Sequence, residues 1–537
     1  MSRTSFVSTA AVLAALTLAS RLLGFGRWLV FSKTVGDTCL GDVYTATNKL
    51  PNVLFEVVAG GVLAGVVVPV VARHLGAGRQ TEAARTTSAL FGWTLLVLTP
   101  AAMIALVGAP LYARTFVSAS CDGGVAVGTA LLMIFAPQIW LYGLAVVAAG
   151  VLQAHHRFVA AALAPLLSAV VVILGYLIFA AVAPTAGVDD PSRLSATSVA
   201  VLGWGTTAGV VVLAATTVIP LGRVGVRLRP TLRFAAGDAG QIGRIAGAGV
   251  TGLVAQQLTT LLAIWVAQRS GDPGAVTRNE WANAIYLLPY AVLVAPLLQV
   301  VFPRLTQVAD HGWTATADTL RAVGRPVVVL AGLGAAVLAA TAVPVARVFV
   351  LGPGSGRTEA LAWPIAAFAP AVLGFSLLGL ANRVLLSHRL ARATGTMTVT
   401  AWLVVAAGVG LTAALDLGTR TVTAIAAATS VGMIVGAVVG WLAIRRAAGD
   451  VRFGLGRTLA AVLPLTVVVG ALVGWPARAA ADLALVPALL AALAAAAAAT
   501  LLYGGTVLVV DRGLLRDVLA LRRRRPAPED HAPGGRR

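Results

Sequence analysis

Ser20–Gly65 reads SRLLGFGRWLVFSKTVGDTCLGDVYTATNKLPNVLFEVVAGGVLAG, at the head of a chain that is otherwise almost wholly apolar. Arg21 and Arg27 sit inside an apolar helical run, and a second run carries Lys49 and Glu56 around Pro51. A charged side chain in hydrocarbon costs from about 3 to more than about 10 kcal/mol, so such charges face a wet cavity and mark a pathway. The rest of the chain reads as the framework around that cavity.

Of the 537 residues 58% are hydrophobic and 11% charged, and the mean hydropathy is +0.90. Soluble domains carry about 25% charge, so this composition defines an all-α polytopic membrane protein with no room for a large soluble domain. Arg3 and the apolar stretch after it resemble a signal peptide. The stretch runs on into Arg21 without a small-residue cleavage site, which predicts a retained first span.

Windows of roughly 20 apolar residues bounded by charge, Gly or Pro predict about 14 transmembrane helices. Their limits are 7–31, 43–72, 87–109, 126–152, 159–183, 197–221, 240–267, 281–303, 326–350, 360–386, 395–415, 421–444, 457–477 and 483–510. With the N-terminus in the cytoplasm, 27 of the 40 basic residues fall on cytoplasmic segments, 9 on the opposite side and 4 within spans. That asymmetry follows the positive-inside rule and predicts both termini inside. Most of the +20 net charge is then topology and contact with anionic membrane lipids, and a nucleic-acid partner is not expected.

A basic linker (Arg223, Arg227, Arg229, Arg233, Arg244) follows the sixth span. It predicts an N-terminal six-helix lobe at 1–222, a C-terminal six-helix lobe at 223–445, two extra helices within 446–510 and a basic cytoplasmic tail at 511–537. Six-plus-six layouts enclose a central site in many transporters. Cys39 and Cys121 both fall in loops on the predicted outer side, where either a disulfide or two free thiols fits the compartment.

Arg21 and Arg27 are six residues apart, roughly 120° around a helix, and Gly24 and Gly26 between them permit a break or a close approach. A guanidinium matches phosphate bidentately, so both are candidates to bind an anionic group. Arg27 has two alternatives, snorkelling to an interface or pairing with Asp42 or Glu56. Lys49 precedes the helix-breaking Pro51, where freed carbonyls and the Asn52 amide need protein or water around them. Glu56 is placed to pair with Lys49 or an arginine, or to take a proton. Ala59, Gly60, Gly61, Ala64 and Gly65 form a small-residue packing face. Arg383 reads as a snorkelling residue.

Enzyme signatures are sparse, and no enzymatic activity, metal or cofactor is expected beyond an unidentified coupling ion. His74, His155, His156, His311, His388 and His531 read as loop or tail histidines without a metal-ligand pattern. No GxxxxGK[ST] occurs. Asp189-Asp190 reads as a solvated turn.

SRLLGFGR, then Gly41-Asp42, then KLPNVLFEVVAGGVLAGVVVPV resembles the amino-terminal signature of the MurJ (MviN) family, in an actinobacterial-type version. NAIYLLPYAVLVAPLLQVVFPRL at 283–305 is similar to the family's eighth span. The resemblance implies a flippase of the multidrug/oligosaccharidyl-lipid/polysaccharide exporter superfamily, with two six-helix lobes in a V and two last helices forming a groove for a lipid tail. Its implied substrate is lipid II, the undecaprenyl-pyrophosphate-linked peptidoglycan precursor, with cell-wall synthesis machinery as a further partner. Arg21 and Arg27 match family arginines lining the cavity, and Asp42 the acidic position at the outer end of span two. Phe55 and Ala284 stand where many members carry arginine, leaving Arg21, Arg27 and Lys49 to hold the anion. Export of another polyprenyl-linked glycan and a non-transporting cell-wall scaffold are the alternative readings. A cationic-drug antiporter is disfavoured, because Glu56 is the only carboxylate within the predicted spans.

Overall fold

A computed structural model describes residues 3–57, 64–226, 229, 231–235 and 238–510. The predicted tail at 511–537, and Ala59, Gly60 and Gly61 of the small-residue face, lie outside the described residues. Nine α-helices precede the linker: α1 (Arg3–Thr34), α2 (Cys39–Phe55), α3 (Ala64–Gly76), α4 (Gln80–Val107), α5 (Ala109–Phe116), α6 (Gly124–Phe135), α7 (Gln138–Ala154), α8 (Phe158–Val182) and α9 (Ala196–Val218). Ten follow it: α10 (Asp238–Ser270), α11 (Ala275–Pro289), α12 (Ala295–Ala309), α13 (Trp313–Val350), α14 (Glu359–Ala367), α15 (Ala369–Ser387), α16 (Ala391–Leu415), α17 (Thr421–Ala448), α18 (Leu455–Ala477) and α19 (Leu485–Val510). Among the described residues there is no sheet, only one isolated bridge between Asp37 and Gly354.

Eleven helical stretches among the described residues are long and apolar enough to cross a membrane. The other three predicted spans fall on α1, on α2 with α3, and on α10, the helices that carry Arg21, Arg27, Lys49, Glu56 and Arg244. Several spans are jointed where the sequence places proline. Ala136-Pro137 separates α6 from α7, Phe368 ahead of Pro370 separates α14 from α15, and a π-helical turn at Tyr290–Val294 lies between Pro289 and Pro296. Proline removes one backbone donor and crowds the carbonyl four residues back, so each joint sits where the ladder is already broken.

Packing divides at the linker. The closest helix pairings before it are α8 with α9 and α1 with α8; after it, α16 with α17, α15 with α17, and α13 with α18 and α19. Lipid tails are as apolar as leucine, so close approach of small residues supplies the association. A Cβ on Gly175 would lie 2.9 Å from the Gly205 Cα, which fixes how tightly α8 and α9 cross. Gly432, Gly436 and Gly440 repeat every four residues along α17 and meet Ala401, Val405 and Met397 of α16 in the same way. An aromatic contact joins the two groups: Phe349 of α13 lies 5.5 Å from Phe25 of α1 between ring centroids, and within its own group 5.3 Å from Trp281 of α11.

Cys39 and Cys121 are bonded, which settles the alternative their loop positions left open. The bridge ties the start of α2 to the loop before α6. It closes a loop of 82 residues, for which chain entropy predicts up to about 4.5 kcal/mol of stabilisation. Non-reducing peptide mapping is expected to recover the Cys39–Cys121 linked pair. Cys39→Ser should lower the thermal transition in detergent by several degrees, whereas an unchanged transition would mean the bond braces nothing.

Candidate functional site: a cationic cavity and the latch above it

Arg21 and Arg27 line one cavity of about 550 Å³, walled by Ser20, Gly24, Phe25 and Trp28 of α1, Ala161, Ala162 and Pro165 of α8, and Ala284, Leu287, Leu288 and Ala291 at the α11 joint. The helix is unbroken through Gly24 and Gly26, and a Cβ at either would meet open space. Neither the predicted break nor the close approach occurs. The cavity is simply wide enough to take two side chains about 120° apart on one helix. Arg21 is exposed to it, and the Arg27 guanidinium lies 5.3 Å from the ring centre of Trp28. Arg27 thus pairs with neither Asp42 nor Glu56. No carboxylate is among the described lining residues.

The residues of α2 divide. Lys49 does not pair with Glu56; its ammonium lies 2.8 Å from Oε1 of Glu280, across on α11. Glu56 accepts from the Gln257 amide of α10. Asn52 donates to the Asn48 carbonyl at 2.7 Å and to Asn48 Oδ1 at 2.9 Å, so its amide is engaged along its own helix rather than offered to a substrate. Phe55 packs against Tyr142 of α7 with ring centroids 4.8 Å apart and the planes tilted by 37°, while Ala284 lies on the wall of the arginine cavity. Lys49, Glu56 and Glu280 border a second cavity of about 230 Å³ that also touches Gln257, Asn283 and Tyr286.

At the end of the bundle that carries the disulfide, a latch joins the α1–α2 corner to α11 and to the α13–α14 loop. Neither Asp42 nor Glu56 forms an ion pair among the described residues, contrary to the expectation from sequence. Asp42 caps α11 from another helix instead: Oδ2 accepts from the Gly274 N–H at 2.8 Å, and Oδ1 from the Thr277 N–H and hydroxyl at 2.9 Å each. Unpaired N–H groups and the partial positive charge of a helix N-terminus favour a carboxylate there. Beside it, Asp37 Oδ2 accepts from Arg278 Nη1 at 2.8 Å and from Ser355 Oγ at 2.6 Å, and Arg278 Nη2 reaches Asp272 at 2.5 Å. Arg278 and Asp37 are sealed from solvent, with side chains 1% and 0% exposed. The backbones meet so closely that Gly36 (φ 78°) and Gly354 (φ 123°) leave no room for a side chain, in conformations glycine alone adopts readily.

The apolar run of the eighth predicted span opens at 281, so by sequence Arg278 and Glu280 read as loop residues and not as site residues. In the structure α11 begins at Ala275 and carries them into the packed end. The charge-rich RNEW at 278–281, directly ahead of an apolar run, was the available signal. His74 also departs from expectation. It is buried, and its Nε2 lies 2.9 Å from Asp238 at the start of α10. Arg73 also reaches that carboxylate, and Thr86 donates to it at 2.5 Å. Arg383 does not snorkel; it donates to the carbonyls of Leu298 at 3.1 Å and Gly379 at 2.9 Å. In the turn before α9, Asp190 accepts from Ser192 and pairs with Arg193 at 2.8 Å; these bonds, Ser192 first, hold its carboxyl below the ordinary value.

These features define a multi-pass membrane protein of transporter architecture, with a cavity lined by two arginines under a closed end. A solved structure described as "Lipid II flippase MurJ, inward closed conformation" superposes with a TM-score of 0.70, covering 93% of this chain and 100% of that one at 15% identity. An inward-facing multidrug resistance MATE family transporter of the MOP superfamily superposes at 0.66, covering 82% and 98% at 14% identity. Both likenesses concern the fold. The family model described as "Lipid II flippase MurJ" matches residues 31–493, and the chain belongs to that family. A probable lipid II flippase MurJ of Rhizobium meliloti (strain 1021) is 28% identical over 321 residues, 57% of this chain and 56% of that protein. One from Treponema pallidum (strain Nichols) is 28% identical over 178 residues, 32% of this chain and 33% of that protein. The aligned part thus spans a little over half the length of the former relative and a third of the latter.

Asp42→Ala leaves the Gly274 and Thr277 amides without an acceptor, and each unsatisfied buried group costs about 1–3 kcal/mol. Hydrogen exchange across 272–280 is expected to accelerate at least about tenfold. Asp42→Asn, whose amide oxygen still accepts, should fall between that variant and the wild type. Wild-type exchange in Asp42→Ala would remove the cap from the latch.

Proposed function

We propose that this chain is a flippase that carries lipid II from the inner to the outer leaflet of the bacterial cytoplasmic membrane by alternating access, making and breaking no covalent bond. The observation that carries the reading is a cavity lined, among the described residues, by two arginines and no carboxylate. Arg21 and Arg27 would hold the pyrophosphate, with Lys49 as a third cation. The same sign of charge argues against export of cationic drugs. Asn52, engaged with Asn48, drops out of the proposed binding set.

The lobes that rock are 1–222 and 223–445, and both termini lie in the cytoplasm. The disulfide supports this orientation, since such bonds persist on the oxidising side of a membrane. The latch then closes the outer face while the substrate enters from within. The headgroup crosses through the wet interior, and the undecaprenyl tail stays in lipid beside α18 and α19, where Leu472, Leu493 and Leu501 are exposed. The membrane potential or an ion gradient drives the cycle; the potential supplies about 2.3 kcal/mol per charge per 100 mV. The protein works beside the enzymes that make and polymerise the precursor.

Depletion in the native cells, followed by a leaflet-specific assay, tests this. Lipid II should accumulate on the inner face, rescued by the wild type and not by Arg21→Ala/Arg27→Ala inserted at normal levels. Unchanged outer-leaflet lipid II, with no second flippase present, would assign the protein to another polyprenyl-linked glycan or to a scaffolding role.

A further inference from the structure

Most of the buried charge in this protein is held by several partners at once. Arg278 is shared by Asp37, Asp272 and the Pro273 carbonyl, and Asp238 is shared by Arg73, His74 and Thr86. The pair between Lys49 and Glu280 is different. It rests on one contact at 2.8 Å, to a single carboxylate oxygen, and its side chains are 22% and 11% exposed. An ammonium has three N–H donors, so Lys49 has capacity for further acceptors.

The place of this pair gives it a role. Glu280 and Ala284 are four residues apart on α11 and therefore share one helix face, about one turn from each other. Ala284 lines the cavity of Arg21 and Arg27, and Leu287 borders both that cavity and the one beside Lys49. A diphosphate seated between the two arginines and Ala284 would thus lie about one helical turn from the carboxylate that holds Lys49. Glu280 has a polar surround to remain in, since Gln256, Asn279, Asn283 and Thr260 line the same cavity. The Asn279 Oδ1 there is buried and unpaired.

We propose that Glu280 is the resting counter-ion of Lys49, and that a polyprenyl diphosphate entering the arginine cavity draws Lys49 away from it. Anion binding thereby removes an ionic contact between α2 and α11, the two helices that the latch also joins. Glu280 is a positioning residue, acting through Lys49 and touching no substrate. The inference rests on the reading of the arginine cavity as a diphosphate site.

Inorganic pyrophosphate is the probe, titrated calorimetrically against the full-length protein in nanodiscs. Glu280→Gln keeps the shape and removes the competing charge; binding should tighten by up to about fivefold, the range for releasing a partly exposed pair. Lys49→Gln should weaken binding, and Lys49→Gln/Glu280→Gln should match Lys49→Gln alone, because Glu280 acts only through Lys49. Hydrogen exchange across 48–55 should rise on adding pyrophosphate to the wild type and be already raised in Glu280→Gln without it. Unchanged affinity in Glu280→Gln, with wild-type binding that Arg21→Gln abolishes, would overturn this inference and leave the cavity reading standing. Absence of pyrophosphate binding to any form would overturn both. Equal thermal transitions of the variants guard against misfolding as the cause.

Discussion

A carboxylate buried at the N-terminus of a helix from another part of the chain is the constraint on which the closed end depends. Asp42 satisfies two backbone donors that α11 cannot satisfy by itself, and its charge meets the positive end of the helix. Around that contact the α1–α2 corner, the start of α11 and the α13–α14 loop approach to backbone distance, which Gly36, Gly274, Gly352 and Gly354 permit. The disulfide to Cys121 begins at the first residue of α2, three positions from Asp42, so the cap is presented from a braced corner. The charges of this end are buried against each other rather than exposed to a substrate.

Below the latch the electrostatics change character. The arginine cavity is cationic and open, and its wall at Ala284 is only a methyl group. The neighbouring cavity holds charges of both signs, Lys49 with Glu280, and Glu56 with Gln257. A bilayer tolerates such groups where they face water or one another. The interior is therefore graded, from sealed pairs at the latch, through one partly exposed pair, to guanidinium groups with no carboxylate partner among the described residues. At the opposite end Asp238 gathers Arg73, His74 and Thr86 and fixes the start of α10 against α3 and α4.

The family match accounts for the framework, and the particular charges give this chain its own solution within it. Phe55 fills its place by packing its ring against Tyr142, which leaves no cation there. Lys49 is the remaining basic side chain near the cavity on α2, and its engagement with Glu280 makes its availability conditional.

How much was legible follows from the range of the forces involved. Hydrophobic runs and the distribution of arginine declared the helices and the cavity residues Arg21 and Arg27, because insertion into hydrocarbon is decided locally, segment by segment. The break expected at Pro51 does not occur, for α2 runs through it to Phe55. The partners of Asp42, Lys49, Glu56 and His74 were not legible. Asp42 meets residues 232 and 235 positions away, and Lys49 meets one 231 positions away. Sequence offered Lys49 a nearer partner in Glu56, which the fold refused. The sequence alone determined a polytopic helical protein with two arginines set in an apolar first helix and two cysteines in loops. Only the tertiary structure decided which charges are sealed, which are shared and which stay free, because a buried charge is stabilised by whatever packing brings within about 3 Å of it.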